Sequence, residues 1–253
     1  MQYFVNQHSI VRQIWGKADT VLFMFAGAAA EFALNKAVDW LYFTGRLPAD
    51  PLGRLFSTVE YSRQILFSEY DDALRAIDKI TAIHKGVEQA RSQQIPQWAY
   101  RDVLYLLIDY SVRSFELLER KLTNAEKNEL YDVFYRLGKR MQIDDLPDTY
   151  TAWLKVREEH LQQNLISSKF TLDLYRQYRK HLGLGRYLLL KQVQVMLIPN
   201  RVRELLQFKQ VAVLKPVLCL YKMSRLFKLD WLLKEAILPA QYKVQIQSID
   251  DQG

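Results

Sequence analysis
The chain has 253 residues and a mass of 29.9 kDa, is 49% hydrophobic and 25% charged, and carries a formal charge of +7. That apolar content, with only nine glycines and seven prolines, excludes an intrinsically disordered chain. The single cysteine, Cys219, excludes an internal disulfide and cysteine-rich zinc sites, which leaves metal chemistry to histidine, carboxylate or a bound cofactor.

The opening residues MQYFVNQHSIVRQIW lack a basic region followed by an apolar run and a cleavage site, so the expected compartment is the cytoplasm. Helical periodicity begins near Ser9 and runs to Phe43 with an interruption at Gly16. Within it, Thr20 to Ala30 is free of charge but far shorter than the ~20 residues a membrane span requires, and reads as a buried helix. Gly45 to Pro51 is a loop. Helices are expected over Leu52 to Leu66 and Asp71 to Arg91, with Ser68 capping the second.

Pro96 ends a polar break, and a long helix follows from Trp98 to Lys121. Thr123 and Glu126 have capping-box spacing and open a helix to about Gln142. Asp144 to Pro147 breaks the chain before a helix from Thr149 to Leu165. Gly183-Leu-Gly185 and Pro199 bracket an apolar segment, Tyr187 to Ile198. After Pro216 comes a basic amphipathic stretch, and only KVQIQSI, Lys243 to Ile249, alternates as a strand would. The expected fold is all-α: one multi-helix domain over 1–215, with a basic amphipathic helix and tail over 216–253 packed on or beside it.

The charge is unevenly placed. From Arg176 to Lys234 there are thirteen Lys/Arg and two acids, a local excess of eleven, which leaves the remainder at −4. The basic stretch reads either as an apolar face packed on the domain with its lysines solvated, or as a surface, residues 176–238, that docks on an anionic membrane or a partner helix. No recognisable nucleic-acid-binding module accompanies the charge, so nucleic acid is not expected.

Three groups of residues bear on chemistry. Leu74, Ile77, Ile80, His84 and Val87 recur at steps of three or four, so they share a helix face and aim an imidazole at apolar surroundings. Such a nitrogen needs a partner, either a backbone carbonyl or carboxylate, or a metal. Arg54 and Thr58, four residues apart, face one way on the preceding helix, with Leu55, Phe56, Val59, Ile65 and Leu66 for packing. The pair reads either as an ordinary surface arrangement or as a stabiliser of dioxygen or an anionic arm. Glu158-Glu159-His160 reads as a polar helical turn, and His8 and His181 as solvated. Phe23, Phe25, Phe32, Trp40, Tyr105 and Tyr110 are candidates for lining a cavity or for plain core.

These motifs follow one another in a known order. Asp50-Pro-x-x-Arg54-x-x-x-Thr58, then His84-x-x-Val87, Leu122-Thr123-x-x-Glu126, Tyr131, Leu146-Pro147 and finally Leu197-x-Pro199-x-x-x-Arg203 together resemble the MpaB/rubber-oxygenase (latex clearing protein) catalytic-domain family over about 11–208. The resemblance implies a globin-like helical core around haem b, with His84 as the proximal iron ligand and Arg54 and Thr58 as the distal polar pair. It also implies an oxygenase that uses dioxygen to cleave carbon–carbon double bonds in an apolar isoprenoid chain. Where those relatives carry a distal lysine, this chain has Ser57, and the region 26–40 lacks their common His-Pro. The alternative readings are a non-catalytic helical haem or lipid carrier, and a haem-free helical interaction protein at a membrane surface.

Overall fold
A computed structural model describes residues 2–45, 49–209 and 221, apart from the side chain of Leu55. The described residues fold as ten helices and no strand: α1 Ile10–Trp15, α2 Ala18–Phe32, α3 Val38–Phe43, α4 Pro51–Phe67, α5 Tyr70–Arg91, α6 Gln97–Leu118, α7 Asn124–Arg140, α8 Tyr150–Gln163, α9 Lys169–Leu197 and α10 Asn200–Leu205. The all-α, single-domain expectation is met. The helix and strand expected beyond 215 lie outside the described residues, Tyr221 excepted.

Helix starts follow side-chain chemistry. The Ser9 hydroxyl accepts from Val11 N, the Asp50 carboxylate from Gly53 N and the Thr149 hydroxyl from Ala152 N. Thr123 and Glu126 form the reciprocal capping box, each side chain accepting from the other residue's backbone N–H. Two boundaries differ from expectation. Ser68 closes α4 in an extended conformation rather than opening α5, whose first flanking residue is Glu69. Gly183, with φ 72°, kinks α9 without ending it, because left-handed backbone at one glycine redirects the helix at little steric cost.

The core forms around α2 and α6. Gly27 lets them approach: a Cβ there would come within 2.4 Å of the Tyr110 ring. Trp15, Met24, Tyr105, Ile108 and Phe134 are fully buried around this contact. Trp153 of α8 closes one side against Tyr105, Tyr131 and Tyr150. A smaller cluster of Ala33, Val38, Leu174 and Tyr178 joins α3 to α9.

Buried charges cross this core in a closed network. Arg157 on α8 donates to both Glu31 oxygens at 2.6 Å and to Asp109 Oδ2 at 3.0 Å. Tyr110 Oη donates to Glu31 at 3.0 Å, and Arg113 Nε to Asp109 at 2.7 Å. Burial alone would lower the Arg157 pKa, but the Glu31 and Asp109 carboxylates outweigh it and raise the value, so the guanidinium stays charged.

Candidate functional site
Helices α4 and α5 form a hairpin turning at Ser68–Glu69. The N-terminal segment clamps the turn, where Tyr70 N donates to Gln2 O at 2.9 Å and Tyr3 bridges Glu69. The hairpin brings Arg54 of α4 near His84 of α5. Gly53 belongs to the cap that fixes this end of α4: a Cβ at Gly53 would meet the Asp50 carboxylate at 2.1 Å.

On α4, Arg54 Nη1 donates to Thr58 Oγ1 at 2.7 Å, and the Thr58 hydroxyl turns back to the Arg54 carbonyl at 3.3 Å. The predicted one-turn stacking of guanidinium and hydroxyl is therefore present. Ser57 Oγ also donates to the Arg54 carbonyl, at 2.8 Å, and accepts from Nη1 at 3.4 Å. All three side chains are partly buried.

On α5 the predicted face divides. Ala73, Ala76 and Ile77 enter the core, Leu74 and Ile80 pack against it, and beyond them no residue of α5 is fully buried. The His84 ring is half-buried rather than inside the apolar interior, beside polar groups on α4, α5 and α6. Its Nδ1 is nevertheless buried and has no hydrogen-bond partner. The Tyr100 ring of α6 meets it edge-on, centroids 5.2 Å apart. Burial pushes the imidazole pKa down to about 4, the Arg54 guanidinium pushes the same way, and Glu88 opposes. His84 is accordingly neutral through the physiological range, with a free lone pair or N–H awaiting a partner.

Glu88, one turn on, is engaged by neutral donors: its Oε1 accepts from Ile95 N at 2.9 Å and Tyr100 Oη at 3.2 Å. At the end of α5, Arg91 Nη2 donates to Asp39 of α3 at 2.7 Å, and the guanidinium lies 4.1 Å from the Trp40 ring centroid. Of the six candidate aromatics, Phe23, Phe25, Tyr105 and Tyr110 are buried core, and Phe32 packs against it. Trp40 stands beside the His84 helix, through Arg91.

His160 does more than the polar helical turn expected of Glu158-Glu159-His160. Its Nδ1 is hydrogen-bonded to Asp102 Oδ1, and Asp102 also accepts from Asn35 at 2.8 Å and Asn164 at 3.1 Å. Sequence reasoning passed over this node and the Glu31–Arg157–Asp109 network, whose members lie up to 126 residues apart. The available signal was a set of acids and one arginine in otherwise apolar helices.

Among the described residues no three His, Cys, Asp or Glu gather around one point as a bare metal ion requires. One unpartnered neutral imidazole with a cation and a hydroxyl on the facing helix is the kind of axial donor and polar pair that a haem takes from a protein. No helix among the described residues is long and apolar enough to cross a membrane. No curated protein and no solved structure matches the chain. The family described as ER-bound oxygenase mpaB/B'/rubber oxygenase, catalytic domain, matches residues 12–224. With residues 12–224 matched, most of its length, the chain belongs to this oxygenase catalytic-domain family.

Proposed function
We propose that the protein binds haem b through His84 and acts as an oxygenase on an apolar, unsaturated, isoprenoid-like substrate. The observation that carries this reading is the buried, unpartnered Nδ1 of a neutral imidazole next to the Arg54–Thr58 pair. A buried polar atom with no partner costs about 1–3 kcal/mol, and a bound group that engages the ring offsets that cost. Haem held there would supply the activation of dioxygen needed to cleave a carbon–carbon double bond.

The chain's own residues have separate tasks. His84 stays unprotonated and presents nitrogen, because burial and Arg54 both disfavour imidazolium. Thr58 accepts from Arg54 and so fixes the guanidinium one turn up the helix, where it offers positive charge to an anionic or polarised oxygen. Ser57 is tied to the Arg54 carbonyl and supplies no cation, so any basic function at this level falls to Arg54 alone.

A visible spectrum of purified protein reconstituted with haem tests the assignment. The expected result is a Soret band that is lost or shifted in His84→Ala. A folded protein that refuses haem removes the haem readings and leaves the interaction protein. The carrier reading is favoured by Ser57, and incubation of the ferrous protein with polyisoprenoid and dioxygen separates it from the oxygenase: intact double bonds across a substrate panel decide for the carrier.

The substrate class also suggests where the protein works. On α9, Leu172, Arg176 and Lys180 before the Gly183 kink and Leu184 and Leu188 after it are all exposed, so both arms of the helix carry leucines or cations to the surface. Asp173, the acid of α9, is taken by Tyr42 at 2.8 Å. An anionic bilayer is the occupant whose charge and apolarity complement such a surface. Flotation with phosphatidylserine vesicles should retain the protein and lose it on Leu184→Asp/Leu188→Asp; equal retention of both ends the docking proposal.

A further inference from the structure
Arg91 lies seven residues after His84 on α5. Seven residues return to nearly the same helix face and advance about 10 Å along it, so both side chains border one strip of α5. The Arg91 guanidinium is only half spoken for. Nη2 donates to Asp39, and the plane rests on Trp40, with the Phe43 ring centroid 5.5 Å away. Nη1 is buried and has no hydrogen-bond partner. Other arginines carry buried nitrogens without partners, but among the described residues this one shares the helix and the face of His84.

A guanidinium seated on an aromatic ring, with one fork taken and the other open, suits a second carboxylate better than any other common ligand. Glu88, one turn earlier on α5, gives its Oε1 to Ile95 N and Tyr100 Oη rather than to Arg91. A ligand that reaches His84 and carries a carboxylate would complete the open fork of Arg91. A haem whose iron meets the imidazole carries two such groups on one edge.

We propose that Arg91 Nη1 binds a haem propionate, so that α5 holds the cofactor at two points, iron at His84 and carboxylate at Arg91. Trp40 and Asp39 position the guanidinium from α3. This rests on the haem reading above, but it concerns a different residue and a different part of the ligand.

The test is a Soret titration of the full chain with iron(III) protoporphyrin IX and, in parallel, with its dimethyl ester, which lacks the carboxylates. Wild type should prefer the free acid. Arg91→Ala should weaken the free acid by about tenfold or more and leave the ester unchanged, as expected for loss of a charge-assisted bond. Asp39→Asn separates binding from scaffolding, because it removes the charge that pairs with Arg91 on α3 but keeps the guanidinium; it should retain the preference for the free acid.

The proposal is overturned if Arg91→Ala leaves free-acid affinity unchanged, or if Arg91→Ala and Asp39→Asn weaken both porphyrins alike. If wild type binds both porphyrins through His84 and Arg91→Ala changes neither, the haem reading stands and this inference alone falls. If wild type binds neither porphyrin, both fall.

Discussion
Two of the three half-buried histidines stand in opposite circumstances. His160 sits where α8 meets α6, with Asp102 on its Nδ1 and Asn35 and Asn164 completing the carboxylate. His84 sits where α5 meets α4, with a buried nitrogen that nothing accepts or donates to. Folding alone explains the first, since Asp102 gathers His160, Asn35 and Asn164 and ties their segments together. The second leaves its Nδ1 desolvated without a partner, as the core also leaves Trp15 Nε1 and Trp153 Nε1, but here beside a cation and a hydroxyl on the facing helix. The contrast extends outward: the Glu31–Arg157–Asp109 network belongs with the satisfied half, and Arg91 Nη1 with the unsatisfied one.

Disturbing the satisfied half should unfold the protein, and disturbing the other should change what it binds. The largest effect is expected from Arg157→Ala, which strands Glu31 and Asp109 in the core; urea unfolding should show a loss of about 3–5 kcal/mol. Next is pH. The folded His84 pKa of about 4 lies below the unfolded value of 6.5, so between these limits the unfolded chain binds the extra proton. Stability of the haem-free protein is full above pH 6.5 and falls as pH drops toward 4, by at most roughly 3 kcal/mol. His84→Gln should flatten that part of the profile, and an unchanged slope would show the ring to be solvated.

Asp102→Ala frees His160 and two asparagines at once and should cost about 1–3 kcal/mol, with the porphyrin titration unaltered. The smallest change in stability is expected from His84→Ala, within about 1 kcal/mol without haem, because the lost packing is offset by removal of an unpaired polar atom. A large loss there, comparable with Asp102→Ala, would make His84 a structural residue like His160 and erase the contrast.

How far these features were legible depends on their range in sequence. Caps at Ser9, Asp50, Thr123 and Thr149 act within three residues, and the sequence shows where those helices begin. The spacing around His84 and the Arg54–Thr58 step are also local, so the residues of the hairpin site could be named in advance. Periodicity stops short of saying how deep a face lies: the same stripe that buries Ile77 completely leaves His84 half-open, where its neighbours on α4 and α6 are polar or amphipathic side chains, Arg54 and Tyr100. The His160 node was invisible for the complementary reason. Its partner Asp102 is 58 residues away, and nothing near Glu158-Glu159-His160 distinguishes a clamped imidazole from a wet one. Gly183 misled more simply, since glycine permits a bend as readily as an end.

The hydroxyl of Tyr221 donates at 2.8 Å to the buried carboxylate of Asp19, whose other oxygen accepts from Thr20 N. A stitch of this kind ties the last third of the polypeptide to the opening of α2, 202 positions earlier. Clipping the basic end upstream of that tyrosine would therefore strip a core aspartate of its phenol and loosen the very helix on which Tyr110 rests. Truncation is a poor instrument for asking what the cationic segment does; charge reversal at individual lysines, with the tyrosine kept, leaves the stitch in place and asks the question cleanly.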